Sequence, residues 1–228
     1  MKSVRITVCI ILLCCTIPEP GMAQISGGVL GGLNFSKVRV EDNQGTSLET
    51  KSRTGYQAGI VAETGLAGGL SLGANILYLE KAAEVRTAEN ITFDVRTAYI
   101  EIPLFLKYTF GEKLHPHVLL GPTVGFLLHS EVDVEQYGLN FTGDFAPALE
   151  KMDFGFMMGA GVELPLGNGR LHIQGRYRYG TADIIKGGTV DLRAGSTLHI
   201  PATIDTGDRL FTSGIQVMAG YSLPLAGD

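Results

Sequence analysis

Tryptophan is absent from this 228-residue chain, and cysteine is nearly so. Its three cysteines, Cys9, Cys14 and Cys15, all lie close to the N-terminus, so the rest of the chain can neither be stapled by disulfides nor use a thiol nucleophile. Beyond residue 25 no run of apolar residues reaches about 18, the length that a membrane-spanning helix requires. Basic residues are not in excess either. The 18 Lys and Arg stand against 23 Asp and Glu, which argues against nucleic acid as a partner. What the chain has in abundance is glycine, 31 residues of it without a collagen-like period, together with 45% hydrophobic residues and a mean hydropathy of +0.19. Such a glycine load suits strands with crowded or sharply curved faces.

The cysteines sit in a targeting pattern. Lys2 and Arg5 precede the apolar run Val8 to Thr16, Pro18 and Pro20 end it, and Gly21-Met22-Ala23 supplies the small residues of a cleavage site. The expectation is a signal peptide over 1–23 and a single exported domain over 24–228 that carries a modest negative charge.

Within that domain the dominant signal is period-two alternation. From Asp153 to Leu164, Phe154, Phe156, Met158, Ala160, Val162 and Leu164 form one parity, and Asp153, Gly155, Met157, Gly159, Gly161 and Glu163 the other. A helix would mix the two sets, and its interior glycines would cost about 1 kcal/mol each. The same alternation recurs over Gly28–Ser36, Gly55–Thr64, Leu70–Leu79, Ala98–Phe110, His117–Leu128, Leu171–Gly180 and Phe211–Leu223. Pro103, inside the greasiest of these strands, has no N–H to donate and predicts a bulge or local irregularity. The connections alternate between long polar loops (37–53, 80–94, 130–151 and 181–208) and short glycine-rich turns. In the last loop, Thr189–Arg193 and Thr197–Ile200 predict a projecting hairpin. Eight strands joined this way predict an all-β, eight-stranded antiparallel up-and-down transmembrane barrel in a bacterial outer membrane, with long outer loops and short periplasmic turns.

A soluble eight-stranded barrel would turn its apolar parity inward. Here that parity is almost free of charge, as a lipid-facing band must be, while the other mixes small residues with charges. Glu63, Glu101, Lys107, Glu163, Arg176 and Arg178 are therefore expected to face the lumen and to pair there, because unpaired burial is costly. Glu63, Lys107 and Glu163 count as low, near the short turns, and Glu101, Arg176 and Arg178 as middle or upper. Such a network also offers a gated pathway. Aromatics on the apolar parity predict two interfacial girdles, with Tyr56, Tyr78, Phe154, Tyr177 and Tyr179 toward the long loops and Tyr108, Phe110 and Tyr221 toward the short turns.

Several segments resemble a known family. Gly31-Gly32-Leu33-Asn34-Phe35-Ser36, the strand Tyr99-Ile100-Glu101-Ile102-Pro103-Leu104-Phe105-Leu106-Lys107-Tyr108, His117 to Gly125, Gly159 to Glu163 and Arg176-Tyr177 are similar to PorT-like outer-membrane β-barrels. The resemblance implies an eight-stranded outer-membrane barrel of a Gram-negative bacterium. Fold alone does not carry over the founding member's link to protein secretion.

Chemical motifs are sparse. His115-Pro116-His117 lacks a third ligand at metal-binding spacing and reads as a solvated turn. Ser130 could be paired with His129 or His172, yet nothing in the sequence orders a serine, a histidine and an acid into a triad. The expectations are accordingly no cofactor, no metal and no enzymatic activity. Membrane lipid and an unidentified protein partner on the outer loops are the expected contacts of a monomeric scaffold, and a small pore or secretion component is the alternative.

Overall fold

A computed structural model describes residues 25–41, 47–49, 51–86, 92–111, 114–136, 139–194, 198–204 and 209–226. The expected signal peptide lies outside the described residues. Among the described residues, twelve strands and one short helix run in the order β1 (Ile25–Glu41), β2 (Ser47–Glu49), β3 (Lys51–Gly65), β4 (Leu70–Arg86), β5 (Thr92–Thr109), β6 (His115–Gln136), β7 (Leu139–Asp144), a 3₁₀ turn (Ala146–Ala148), β8 (Met152–Leu166), β9 (Gly169–Gly180), β10 (Gly188–Ala194), β11 (Leu198–Ile204) and β12 (Arg209–Ala226). Eight of them, β1, β3, β4, β5, β6, β8, β9 and β12, are the staves of a closed antiparallel barrel, each paired with its neighbour in the chain. The last pairs with the first along its full length, from Ile25–Ala226 to Glu41–Arg209. No stave is left with an open edge.

Following the pair registers from Ile25 through Thr64, Leu72, Leu106, Leu120, Met158, Tyr177 and Ile215 returns to Phe35, ten residues along β1 from the start. Such a stagger means strongly tilted strands around a lumen just wide enough for side chains. Inward glycines allow the close approach that this demands. A Cβ on Gly121 would sit 1.9 Å from the Leu104 carbonyl oxygen, and one on Gly32 2.0 Å from that of Val217.

Outward residues follow the apolar parity. Val29, Ile60, Leu104, Leu120, Phe156, Met158 and Ile215 are each more than half exposed, a continuous apolar belt that only a lipid environment accommodates. Tyr56 stacks on Tyr78 at a ring separation of 6.4 Å, and Tyr108 on Phe110 at 6.1 Å. Phe154, Tyr177 and Tyr179 also point outward, and the Tyr221 hydroxyl donates to the Leu166 carbonyl at 2.9 Å.

Two expectations are corrected. The long loops are shorter than the sequence pattern implies, since β4 continues to Arg86, β5 begins at Thr92 and β6 extends to Gln136 before returning as β7. Beyond the membrane the outward face no longer has to be apolar, so the alternation disappears while backbone pairing continues. Pro103 marks a local irregularity but not a bulge: the β4–β5 pairing skips Ile102 and Pro103, while the pairs on either side, Ala74–Leu104 and Leu77–Glu101, keep one alignment. The shift falls instead between Ala98 and Tyr99, where β6 carries one extra residue. It reverses the facing of the upper part of β6, so that Ser130, Val132 and Val134 are buried while His129 is exposed.

The 181–208 segment does contain the hairpin, β10 with β11, which docks through Leu192 and Arg193 onto Gly143 and Thr142 of β7. Val132, Val134, Phe141, Ala148 and Val190 form a small second core there, flanked by Val95, Phe145 and Leu192. Replacing Leu120 by Arg should lower the stability of the barrel folded in lipid vesicles by about 2–4 kcal/mol, the cost of a cation at mid-bilayer. Guanidinium unfolding monitored by tyrosine fluorescence measures it.

Candidate functional site in the barrel lumen

Each stave carries its inward residues in a fixed vertical order, so reading the staves side by side gives the lumen in tiers. On β5 the order toward the short turns is Tyr99, Glu101, Pro103, Phe105, Lys107. On β8 it begins at Asp153, passes Met157 and ends at Glu163, and on β9 it runs Arg178, Arg176, Gln174, His172, Arg170.

The outer mouth is covered. Segments 146–150 and 181–187 are stitched together by Glu150 N–H to the Ile184 carbonyl at 2.9 Å and Lys186 N–H to the Ala148 carbonyl at 2.9 Å. The Asp183 carboxylate accepts from the backbone N–H groups of Ile185 and Leu210, both at 3.0 Å. Leu149 and Ile184 are buried beneath.

Under this cover lies the upper charged tier. Arg178 Nε is 2.6 Å from Glu101 and its Nη2 3.0 Å from Asp153. The Lys81 ammonium reaches the same Asp153 oxygen at 2.7 Å and lies over the Tyr99 ring at 4.3 Å. Thr212 donates to Asp153 at 3.1 Å and accepts from Arg178 at 2.8 Å. Two cations thus balance two carboxylates in buried surroundings, where an unpaired charge is costly. Arg176, one step lower, turns to the Asn75 amide oxygen, at 2.8 and 3.0 Å in the amide orientation that satisfies both groups, and to the face of Phe105 at 5.4 Å.

The middle tier is apolar. Leu30, Val61, Leu77, Phe105, Leu119, Met157 and Met218 pack into one buried cluster that spans the lumen. Sequence reasoning placed these residues on the small-or-charged parity and so missed a septum. Each comes from a different strand, and only barrel closure assembles them.

The lower charged tier centres on Lys107, whose ammonium forms a contact with Glu63 and another, at 2.5 Å, with Glu163. Glu163 is also met by Arg170 at 3.2 Å and by His172 Nδ1 at 3.3 Å. These groups open on a cavity of about 720 Å³ at the short-turn end. His117 does not lie in a solvated turn. It is 1% exposed, 3.9 Å from Glu163, because strand β6 begins at His115 and turns residue 117 inward. Ser130 is drawn to Thr97 at 3.1 Å, and His172 is bonded through Nε2 to Ser222 at 2.5 Å. Lys81 was also hidden in the sequence, where it falls in a polar stretch that reads as loop. Among the described residues no group of three or more His, Cys, Asp or Glu is placed to hold a metal ion.

The model of the outer membrane protein beta-barrel domain family matches residues 22–186. The chain belongs to that family. Its fold is similar to that of a major outer membrane protein from Thermus thermophilus, with a TM-score of 0.54 and 14% identity over 87% of this chain and 99% of that one. It is likewise similar to OprG from Pseudomonas aeruginosa, with a TM-score of 0.50 and 12% identity over 88% and 97%. No curated protein sequence matches. Family membership and an outward apolar belt place the chain in the bacterial outer membrane, with its short turns toward the periplasm.

Lys107 is the group on which the lower tier depends. Its replacement by Met leaves two carboxylates facing each other and should cost about 3–5 kcal/mol. The Glu63→Gln, Lys107→Met pair should recover part of that loss in the same guanidinium titration.

Proposed function

We propose that this protein is a sealed, monomeric outer-membrane scaffold that offers its outer sheet, β6, β7, β10 and β11, to a protein partner. The observation that carries this reading is the apolar septum lying between two paired charge tiers. An ion crossing it would shed much of its hydration against Leu77, Phe105 and Met157, and the charged group beside them, the Arg176 guanidinium over Phe105, is already held by Asn75. The result is a barrier of the kind that closes hydrophobic gates. The Glu63, Lys107 and Glu163 set and the Glu101 and Arg178 set then serve to neutralise buried charge rather than to conduct. Rigid staves carrying a separately packed outer sheet suit contact through loops and strand extensions. The resemblance of the Tyr99–Tyr108 strand to PorT-like barrels favours that branch of the family.

In planar bilayers the folded protein should be electrically silent, while Phe105→Ala combined with Met157→Ala should open measurable conductance. Steady channels from the unmodified protein would replace the scaffold reading by that of a small pore or secretion component.

A further inference from the structure

The contacts of Ser222, His172 and Glu163 do more than neutralise charge. Ser222 Oγ lies 2.5 Å from His172 Nε2, and the opposite ring nitrogen, Nδ1, lies 3.3 Å from Glu163 Oε1. An imidazole that bridges a hydroxyl and a carboxylate through its two nitrogens is the arrangement needed to activate a serine. The base is within reach of the hydroxyl proton, and a third group fixes the base.

The ladder builds this line. Glu163 stands directly across from His172 on the β8–β9 pair. On its other side His172 stands opposite Gly220, whose lack of a side chain lets the imidazole lean to Ser222, two residues further along β12. Lys107 and Arg170 hold Glu163 from two sides and so fix its orientation. Arg170 is the cross-strand partner of Ser222, and its half-exposed guanidinium, 3.2 Å from Glu163, borders the same cavity. All three members of the line border the periplasmic cavity of about 720 Å³, a size typical of small-molecule sites. The barrel wall separates the site from membrane lipid, so a substrate has to be water-soluble and to enter from the periplasm.

We propose that Ser222, His172 and Glu163 form a hydrolytic triad for small, water-soluble carboxylic esters. Ser222 Oγ bonds to the ester carbonyl carbon as its proton passes to His172 Nε2. The tetrahedral adduct collapses, the alkoxide leaves, and it takes that proton to become the alcohol. Water then attacks the acyl-serine and gives a proton to His172. When the acyl–oxygen bond breaks, the carboxylic acid departs and Ser222 regains the proton. Ser222 and His172 are the catalytic residues, and Glu163 is a positioning residue.

The test uses the full chain folded in lipid vesicles, with p-nitrophenyl acetate as substrate and a fluorophosphonate as covalent probe. Peptide mass spectrometry should find one phosphonyl group, on Ser222. Ser222→Ala and His172→Ala should each lower hydrolysis by about 100-fold or more, as loss of a nucleophile or general base does. Glu163→Gln should slow labelling, and Glu163→Asp should restore part of the rate. Heat-modifiable migration on gels reports that each variant is folded. Folded wild-type protein that takes no label at Ser222, or hydrolysis unchanged in folded Ser222→Ala, overturns the proposal. The wild-type labelling decides the matter even where a variant fails to fold, and it is independent of whether the lumen conducts.

Discussion

Everything in this protein depends on one constraint, that backbone N–H and C=O groups cannot be left unpaired in hydrocarbon. Sheets satisfy it only by closing, and the full-length pairing of β1 with β12 is that closure. With eight staves and a stagger of ten residues, closure also sets the width of the lumen. Narrowness in turn decides the inward composition. Where strands crowd, as at Gly32 and Gly121, even a methyl group would strike a neighbouring carbonyl. Where space remains it is filled by side chains rather than by a channel.

The filling is stratified for an electrostatic reason. Charges inside a narrow barrel are removed from bulk water on every side, and they persist only as matched sets, such as Lys81 and Arg178 with Glu101 and Asp153. Near the periplasmic mouth the demand relaxes, and Arg170 keeps about half of its side chain exposed while still reaching Glu163. A tier of Leu, Val, Phe and Met separates the two sets. This isolation lets the two ends act separately, the outer end as a capped platform with its own small core and the periplasmic end as an open vestibule with a hydroxyl, an imidazole and a carboxylate in line.

Much of the barrel is legible in the chain itself. A lipid-facing surface must be apolar at every second residue over the membrane thickness, so Phe154, Phe156 and Met158 announce both a strand and its outward face. Above the membrane that requirement lapses, which is why Lys81 and the upper half of β6 look like loop. The extra residue near Leu128 is equally hidden, since a bulge that reverses facing leaves no mark in composition. His115-Pro116-His117 misleads for a related reason: proximity to a short turn suggests solvent, but the strand is already paired at His115 and residue 117 points inward.

By itself the sequence determined the number of staves, the sidedness of each across the membrane and the membrane that receives them, because these follow from local periodicity and from the energetic cost of charge in lipid. Only the tertiary structure decided which inward residues meet. Ser222 and His172 are 50 positions apart, and Glu163 lies on a third strand. The septum likewise draws one residue from each of seven strands. Such meetings depend on register and on barrel closure, which couple residues distant in the chain, and no local pattern records that coupling.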